Sequence, residues 1–174
     1  MSLDRIARWL KPDLRVDCLS AVPLERLRQQ GIRALIVDLD NTVACWNSAV
    51  VEEEARRWFS EAKARGFALC LTSNNAYQRG AGVARELGVP LVYNAGKPRR
   101  RAFRQAMQAL GSGPRETAVI GDQLFTDILG GKRLGLYTVL VRPLSPREFF
   151  TTRLLRRLEQ VVMRSWGDER EGAG

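Results

Sequence analysis

Five short apolar runs, Ala34–Val37, Phe67–Leu71, Leu91–Tyr93, Ala118–Ile120 and Tyr137–Val141, are separated by amphipathic stretches, and that alternation leaves few architectures open. A strand buried on both faces reads as a continuous apolar run, and such strands belong to parallel sheets covered on each side. The stretch between the first two runs, "VEEEARRWFSEAKARG", puts its glutamates first and its basic residues last, and it closes on Gly66. That order complements a helix dipole and supplies a glycine terminator. The expected architecture is α/β: a Rossmann-like parallel sheet flanked by helices, formed as one domain across residues 1–174. The tail "GDEREGAG" is expected to fray.

Composition narrows the class of activity. Charged residues make up 27% and hydrophobic ones 45%, a soluble globular balance. No apolar run approaches the ~18 residues that would span a bilayer. The start, "MSLDRIARWLKPDLR", has no continuous signal-peptide core, so a cytoplasmic location is expected. Cys18, Cys45 and Cys70 are scattered and lack CxxC spacing, which indicates neither disulfides nor zinc. The net charge of +9 points to an anionic partner: nucleic acid, acidic membrane or phosphorylated substrate. Histidine is absent, which excludes histidine phosphatases, His-based hydrolases and most zinc enzymes.

In an open α/β sheet, ligands bind outside the carboxyl ends of the strands. Asp38 and Asp40 follow the first run, "TSNN" (Thr72 to Asn75) the second, Lys97 the third, and "GDQLFTD" with Asp122 and Asp127 the fourth. Singly, these read as helix caps, turn residues and a solvated lysine. Together they would converge on one place. Two carboxylates at the mouth of a buried strand cost several kcal/mol each to desolvate unless paired, so a cation or a shared proton is expected there. Asp38, Asp40 and Asp122 are hard oxygen donors that suit Mg²⁺. Other phosphate chemistries fail on inspection. The residues six beyond the cysteines are Leu24, Val51 and Ala76, so no Cys-x₅-Arg exists, and there is no Walker A loop. "GAGVAR" from Gly80 has Arg85 where a dinucleotide fingerprint needs its third glycine.

The segments "DLDNT", "TSNN", "KP" and "GDQLFTD" resemble the four motifs of the haloacid dehalogenase superfamily of phosphatases. "GIRALIVDLDNTVACW" and "VIGDQLFTDILGGKRLGLYTVLVRPL" resemble its small YqeG-type subfamily (class IIIA), and the likeness runs from about Leu10 to about Arg164. Val43, where related chains often carry leucine, is a minor departure. The resemblance implies that Asp38 is a nucleophile forming an aspartyl-phosphate, and that Asp40 protonates the leaving alcohol and then activates water. It implies Mg²⁺ held by Asp38, Asp122 and the main-chain carbonyl of Asp40. Thr42 would help hold Asp40, and Asp127 would be a ligand or a partner behind the ligands. Ser73 and Lys97 would grip the phosphoryl group with Asn74 beside them, while Asn41, Asn74 and Asn75 shape the loops.

The intervals Thr42 to Thr72 and Asn75 to Lys97 have room for a helix, and for a helix and a strand, but not for an inserted cap domain. An uncapped site favours a phosphate presented on something large. The subfamily resembles mitochondrial phosphatidylglycerophosphate phosphatases, which implies a lipid-borne substrate; soluble phosphomonoesters or phosphoproteins are the alternative. A basic nucleic-acid- or ribosome-binding protein is a further reading, but aromatics are few and no RNA-binding motif is visible. One segment bears on the choice. Around residues 146–166, Ser145, Pro146 and Glu148 form a capping-box pattern. Phe150, Leu154, Leu155, Leu158, Val161, Val162 and Trp166 then share one side of a helix, with Arg153, Arg156, Arg157 and Arg164 on the other. Such a helix either packs on the core with its basic face solvated or rests on an anionic membrane, at the inner membrane surface.

Overall fold

The structure, a computed structural model, describes residues 10–45, 48, 50–75, 77–145, 159, 162 and 163, with the main chain alone at 77 and 79. The strands are β1 (Leu14–Val16), β2 (Ala34–Asp38), β3 (Ala68–Thr72), β4 (Leu91–Val92), β5 (Thr117–Gly121) and β6 (Tyr137–Val141). They form one sheet in the order β1-β6-β5-β2-β3-β4, and every neighbouring pair is parallel. The chain leaves β2 toward β3 on one side and later returns to β5 on the other. The carboxyl end of β2 is therefore the switch point at which an open sheet of this kind has its crevice.

Helices α1 (Leu24–Gln29), α2 (Glu53–Ala64), α3 (Tyr77–Leu87), α4 (Arg100–Leu110) and the short α5 (Leu129–Lys132) make the connections. In α2, Ala55, Trp58, Phe59 and Ala62 are buried, one stripe at helical spacing; Glu53 and Glu54 lie in its first turn and Lys63 in its last. Gly66 follows with φ +83°, as a helix terminator requires.

Strand alternation divides the core. Leu35, Val37, Leu69, Leu71, Ala118 and Ile120 face the larger cluster, with Leu27, Trp58, Phe59, Val83 and Leu87 from the helices. Ile36, Cys70 and Val119 face the other way, onto Phe103, Ala106 and Met107 of α4. Helices thus cover both faces, which is why the strands read as continuous apolar runs. Cys70 is a small buried core residue, its thiol pushed up to about 12 by burial.

Five apolar runs foretell five strands, and the sheet has six. The addition, β1, is three residues long and only Leu14 of it is buried. It is held at the sheet edge by a side chain: Asp13 Oδ2 accepts the main-chain N–H of Thr138 at 2.7 Å and its hydroxyl at 2.8 Å. Among the described residues, the connection from β2 to β3 carries one helix, α2, and that from β3 to β4 carries α3. Most of the expected helix around 146–166, including Phe150, Leu154, Leu158 and its four arginines, lies outside the described residues. Glu159, Val162 and Met163 are described; all three are helical, and Val162 and Met163 pack against Leu124, Ile128 and Leu140. Among the described residues, no helix is long and apolar enough to cross a membrane.

Candidate active site

Strand β2 delivers Asp38, buried, at its carboxyl end, in register with Thr72 of β3. The next residue, Leu39, turns its side chain into the core while its N–H continues the ladder to Thr72 O at 3.0 Å. Asp40 therefore emerges on the open side. The chain then winds tightly: Asn41 takes φ +60°, a conformation asparagine tolerates, and the N–H groups of Val43 and Ala44 both reach Leu39 O.

The ends of β3 and β4 are laced together. Ser73 N–H donates to Val92 O, Ala95 N–H to Ser73 O and Asn94 N–H to Asn75 O, each at 3.0 Å. Asn74 completes the join: its Oδ1 accepts the main-chain N–H of Lys97 at 2.8 Å. Lys97 is thereby turned inward and buried, its ammonium bonded to Asp38 Oδ1, to Asp127 Oδ1 at 2.7 Å and to Thr72 Oγ1 at 3.5 Å. Beyond β5, the π-helical turn Leu124–Ile128 presents Asp127. Its Oδ2 accepts from Gln123 N–H at 3.3 Å and from the Thr126 hydroxyl at 3.2 Å. Gly121 makes this approach possible, because a Cβ there would lie only 2.6 Å from the Asp127 Cβ.

Asp38, Asp122 and Asp127 are all buried, and one carboxylate oxygen of each lies within 4.8 Å of the others. Burial pushes Asp38 well above the usual carboxylate range; the Lys97 charge opposes this, and Asp127 and Asp122 add to it. Burial would lower Lys97, but Asp127 and Asp38 more than offset that and raise it, so the ammonium stays charged. Lys97 sets one positive charge against the two carboxylates it pairs with, Asp38 and Asp127. The all-oxygen donor set and its excess negative charge fit a hard divalent cation.

Asp38, Lys97, Asp122 and Asp127 thus meet as the spacing suggested, and Asp40, Ser73 and Asn74 border them. Two details differ from expectation. The Thr42 hydroxyl is buried without a hydrogen-bond partner and does not hold Asp40. Asp40 instead points toward β3, where its Oδ2 accepts from the Ser73 hydroxyl at 2.7 Å and from Asn75 Nδ2 at 2.8 Å. Asn74 acts on Lys97 through the main chain. Sequence reasoning gave Asn75 only a loop-shaping part and gave Thr72 and Gly121 none; all three lie inside recognisable motifs, which was the available signal.

A parallel sheet with this switch point, carrying an acid cluster and a buried lysine at its carboxyl edge, is the framework of a hydrolase acting on phosphate esters. The family model of haloacid dehalogenase-like hydrolases matches residues 15–135, and the chain belongs to that family. The chain is 34% identical over 158 residues to the probable phosphatase YqeG of Bacillus subtilis (strain 168), covering 91% of this chain and 92% of that protein. It is 28% identical over 169 residues to phosphatidylglycerophosphate phosphatase 1, chloroplastic/mitochondrial, of Arabidopsis thaliana. That match covers 91% of this chain and only 49% of the plant protein. In fold it resembles the cobalt-bound deoxy-D-mannose-octulosonate 8-phosphate phosphatase of Haemophilus influenzae, with a TM-score of 0.53 and 12% identity over 79% of this chain and 91% of that one. Family and relatives together make the chain a phosphatase.

Proposed function

We propose that the chain is a Mg²⁺-dependent phosphomonoesterase working through a phosphorylated Asp38, with phosphatidylglycerophosphate as its favoured substrate. The observation that carries the chemistry is the buried Lys97 ammonium, bonded to both Asp38 and Asp127 at the carboxyl end of β2. Its charge favours the anionic, nucleophilic form of Asp38 against the burial that disfavours it. Asp38 attacks phosphorus, the bond from phosphorus to the leaving oxygen breaks, and Asp40 gives that oxygen its proton. Water then attacks the phosphorus of the aspartyl-phosphate while Asp40 takes its proton, releasing inorganic phosphate and restoring Asp38. Ser73 and Asn75 hold the Asp40 carboxylate in one orientation before substrate arrives; with substrate bound, Lys97 and the redirected Ser73 hydroxyl would grip the phosphoryl group. Asp38, Asp122 and the Asp40 carbonyl would hold Mg²⁺, with Asp127 beside them. The ion would offset the charge of the phosphoryl oxygens.

The lipid substrate is supported by the likeness to the plant phosphatidylglycerophosphate phosphatase, by the short connections around the site and by the net charge of +9. A second reading, a phosphatase of soluble phosphomonoesters, is favoured by the packing of Val162 and Met163 on the core, which commits apolar surface that a membrane would otherwise take. Phosphate release from an aryl phosphate, from soluble monoesters and from vesicle-borne phosphatidylglycerophosphate, each with EDTA or Mg²⁺, tests both. We expect EDTA to abolish turnover, Mg²⁺ to restore it, and kcat/KM to be highest on the vesicles. Undiminished turnover after exhaustive EDTA treatment would refute the metal, and equal kcat/KM on soluble and vesicle-borne substrates would refute the lipid preference.

A further inference from the structure

Glu159 is buried, at 2% exposure, although it lies far along the chain from every motif of the site. Its Oε1 accepts the main-chain N–H of Leu124 at 2.8 Å and that of Phe125 at 3.3 Å. These N–H groups open the π-helical turn Leu124–Ile128, and Gln123, which precedes it, supplies no side-chain cap of its own. A carboxylate at this point satisfies donors that the turn leaves orphaned and complements its positive end. Asp122 lies just before the capped turn and Asp127 within it. The segment is itself kept in place, since Val162 and Met163, three and four positions on in sequence, pack against Leu124 and Ile128 of that turn and Leu140 of β6.

We propose that Glu159 is a positioning residue of the active site: by capping Leu124 and Phe125 it keeps the loop after β5 in the form that brings Asp122 and Asp127 together with Asp38. This rests on reading those three carboxylates as the centre of a metal-dependent site. Glu159 acts on the site through the main chain of Leu124 and Phe125. Without it, the buried N–H of Leu124 and the half-buried N–H of Phe125 lose their acceptor, and the loop relieves that cost by moving toward water, carrying both aspartates with it. Partners behind metal ligands typically change metal affinity by about 10- to 100-fold, and a residue acting through the main chain belongs at the low end.

The test is titration of Mn²⁺ into the full chain, with free ion followed by its paramagnetic resonance signal and a thermal melt run on every variant. Asp122→Asn should lose most Mn²⁺ binding. Glu159→Ala should raise the Mn²⁺ Kd about tenfold, whereas Glu159→Gln, whose amide oxygen accepts the same N–H groups, should stay close to the unaltered protein. Val162→Ala, which trims the packing of the same segment and leaves both hydrogen bonds, should lower Tm without moving Kd. If Glu159→Ala does not fold, Glu159→Asp carries the comparison: it keeps the charge but draws the acceptor back, so its Kd should rise above that of Glu159→Gln. Unchanged Kd in Glu159→Ala or Glu159→Asp, with Asp122→Asn impaired, would overturn the role of Glu159 and leave the site reading standing. Equal rises in Glu159→Ala and Val162→Ala would overturn it too, since packing alone would then explain the effect. Full Mn²⁺ binding by Asp122→Asn would instead remove the site reading, and this inference with it.

Discussion

Asp38 and Asp40 stand two positions apart in sequence but in different surroundings. Asp38 is buried and ion-paired to Lys97; Asp40 sits at the border of the site, held by Ser73 and Asn75. Their substitutions should therefore differ. Asp38→Asn should lower turnover by at least about 10³-fold on every substrate while Tm changes little, because it removes the nucleophile. Asp40→Asn should cost about 10²- to 10⁴-fold on an alkyl phosphate and clearly less on an aryl phosphate with a good leaving group, because a general acid matters less there. Steady-state kinetics on the two substrate types checks both. Gly121 allows a further prediction. A methyl group there would collide with Asp127, so Gly121→Ala should displace that carboxylate and reduce kcat by about 10²-fold, the scale of a 1 Å misplacement. A fall in Tm with kcat intact would show that Asp127 has no positional role. The residue types at the site were legible in the motifs, but the direction in which each side chain points was not. Thr42 and Asn75 make this concrete: Thr42 is near Asp40 in sequence and Asn75 is far from it, and only the meeting of β2 with β3 decides that the Asn75 amide, and not the Thr42 hydroxyl, reaches it.

Helix α2 was legible residue by residue, since its apolar stripe, its charge order and Gly66 all act within one stretch of chain. Strand β1 was not, because three residues with one buried side chain carry no periodic signal. Its pairing with β6 depends on Asp13 reaching Thr138 across 125 positions of sequence. The short helix α5 shows the same dependence. Its "LGG" reads as a helix breaker, yet α5 lies so close to α4 and β5 that a Cβ on Gly130 would overlap the Phe103 ring and one on Gly131 would overlap Val119. Gly130→Ala should therefore destabilise the fold by about 1–3 kcal/mol, although alanine is the better helix former, since overpacking outweighs a propensity gain of about 1 kcal/mol. Urea unfolding measures this, and a stabilised variant would show that α5 can shift at little cost.

For the whole molecule, the +9 charge is the property that individual elements do not explain. The arginines at 153, 156, 157 and 164 lie outside the described residues, and their helical spacing predicts one basic face. At ~1 kcal/mol each near an anionic surface, they could contribute up to about 4 kcal/mol, enough for reversible docking. Changing all four to Gln should weaken co-sedimentation with phosphatidylglycerol-rich vesicles and lower activity on vesicle-borne phosphatidylglycerophosphate. Turnover of a soluble aryl phosphate should hardly change. Added salt should weaken the vesicle binding of the unaltered protein. If both activities respond alike, or no sedimentation occurs at low salt, the basic face has no membrane role.

What the sequence by itself determined is local or periodic. The apolar runs specify strands buried on both faces, the amphipathic stretches specify the helices between them, and the residues after each run specify oxygen donors and one lysine at a common edge. Those signals survive in one dimension because burial and helix geometry repeat along the chain. The tertiary structure decided what depends on pairs distant in sequence: the sixth strand, the Asn74 clasp on Lys97, the turn of Asp40 toward Ser73 and Asn75, and the cap that Glu159 places on Leu124 and Phe125. A hydrogen bond needs two groups within about 3 Å and in line. Sequence supplies the groups; only folding sets the distance between them.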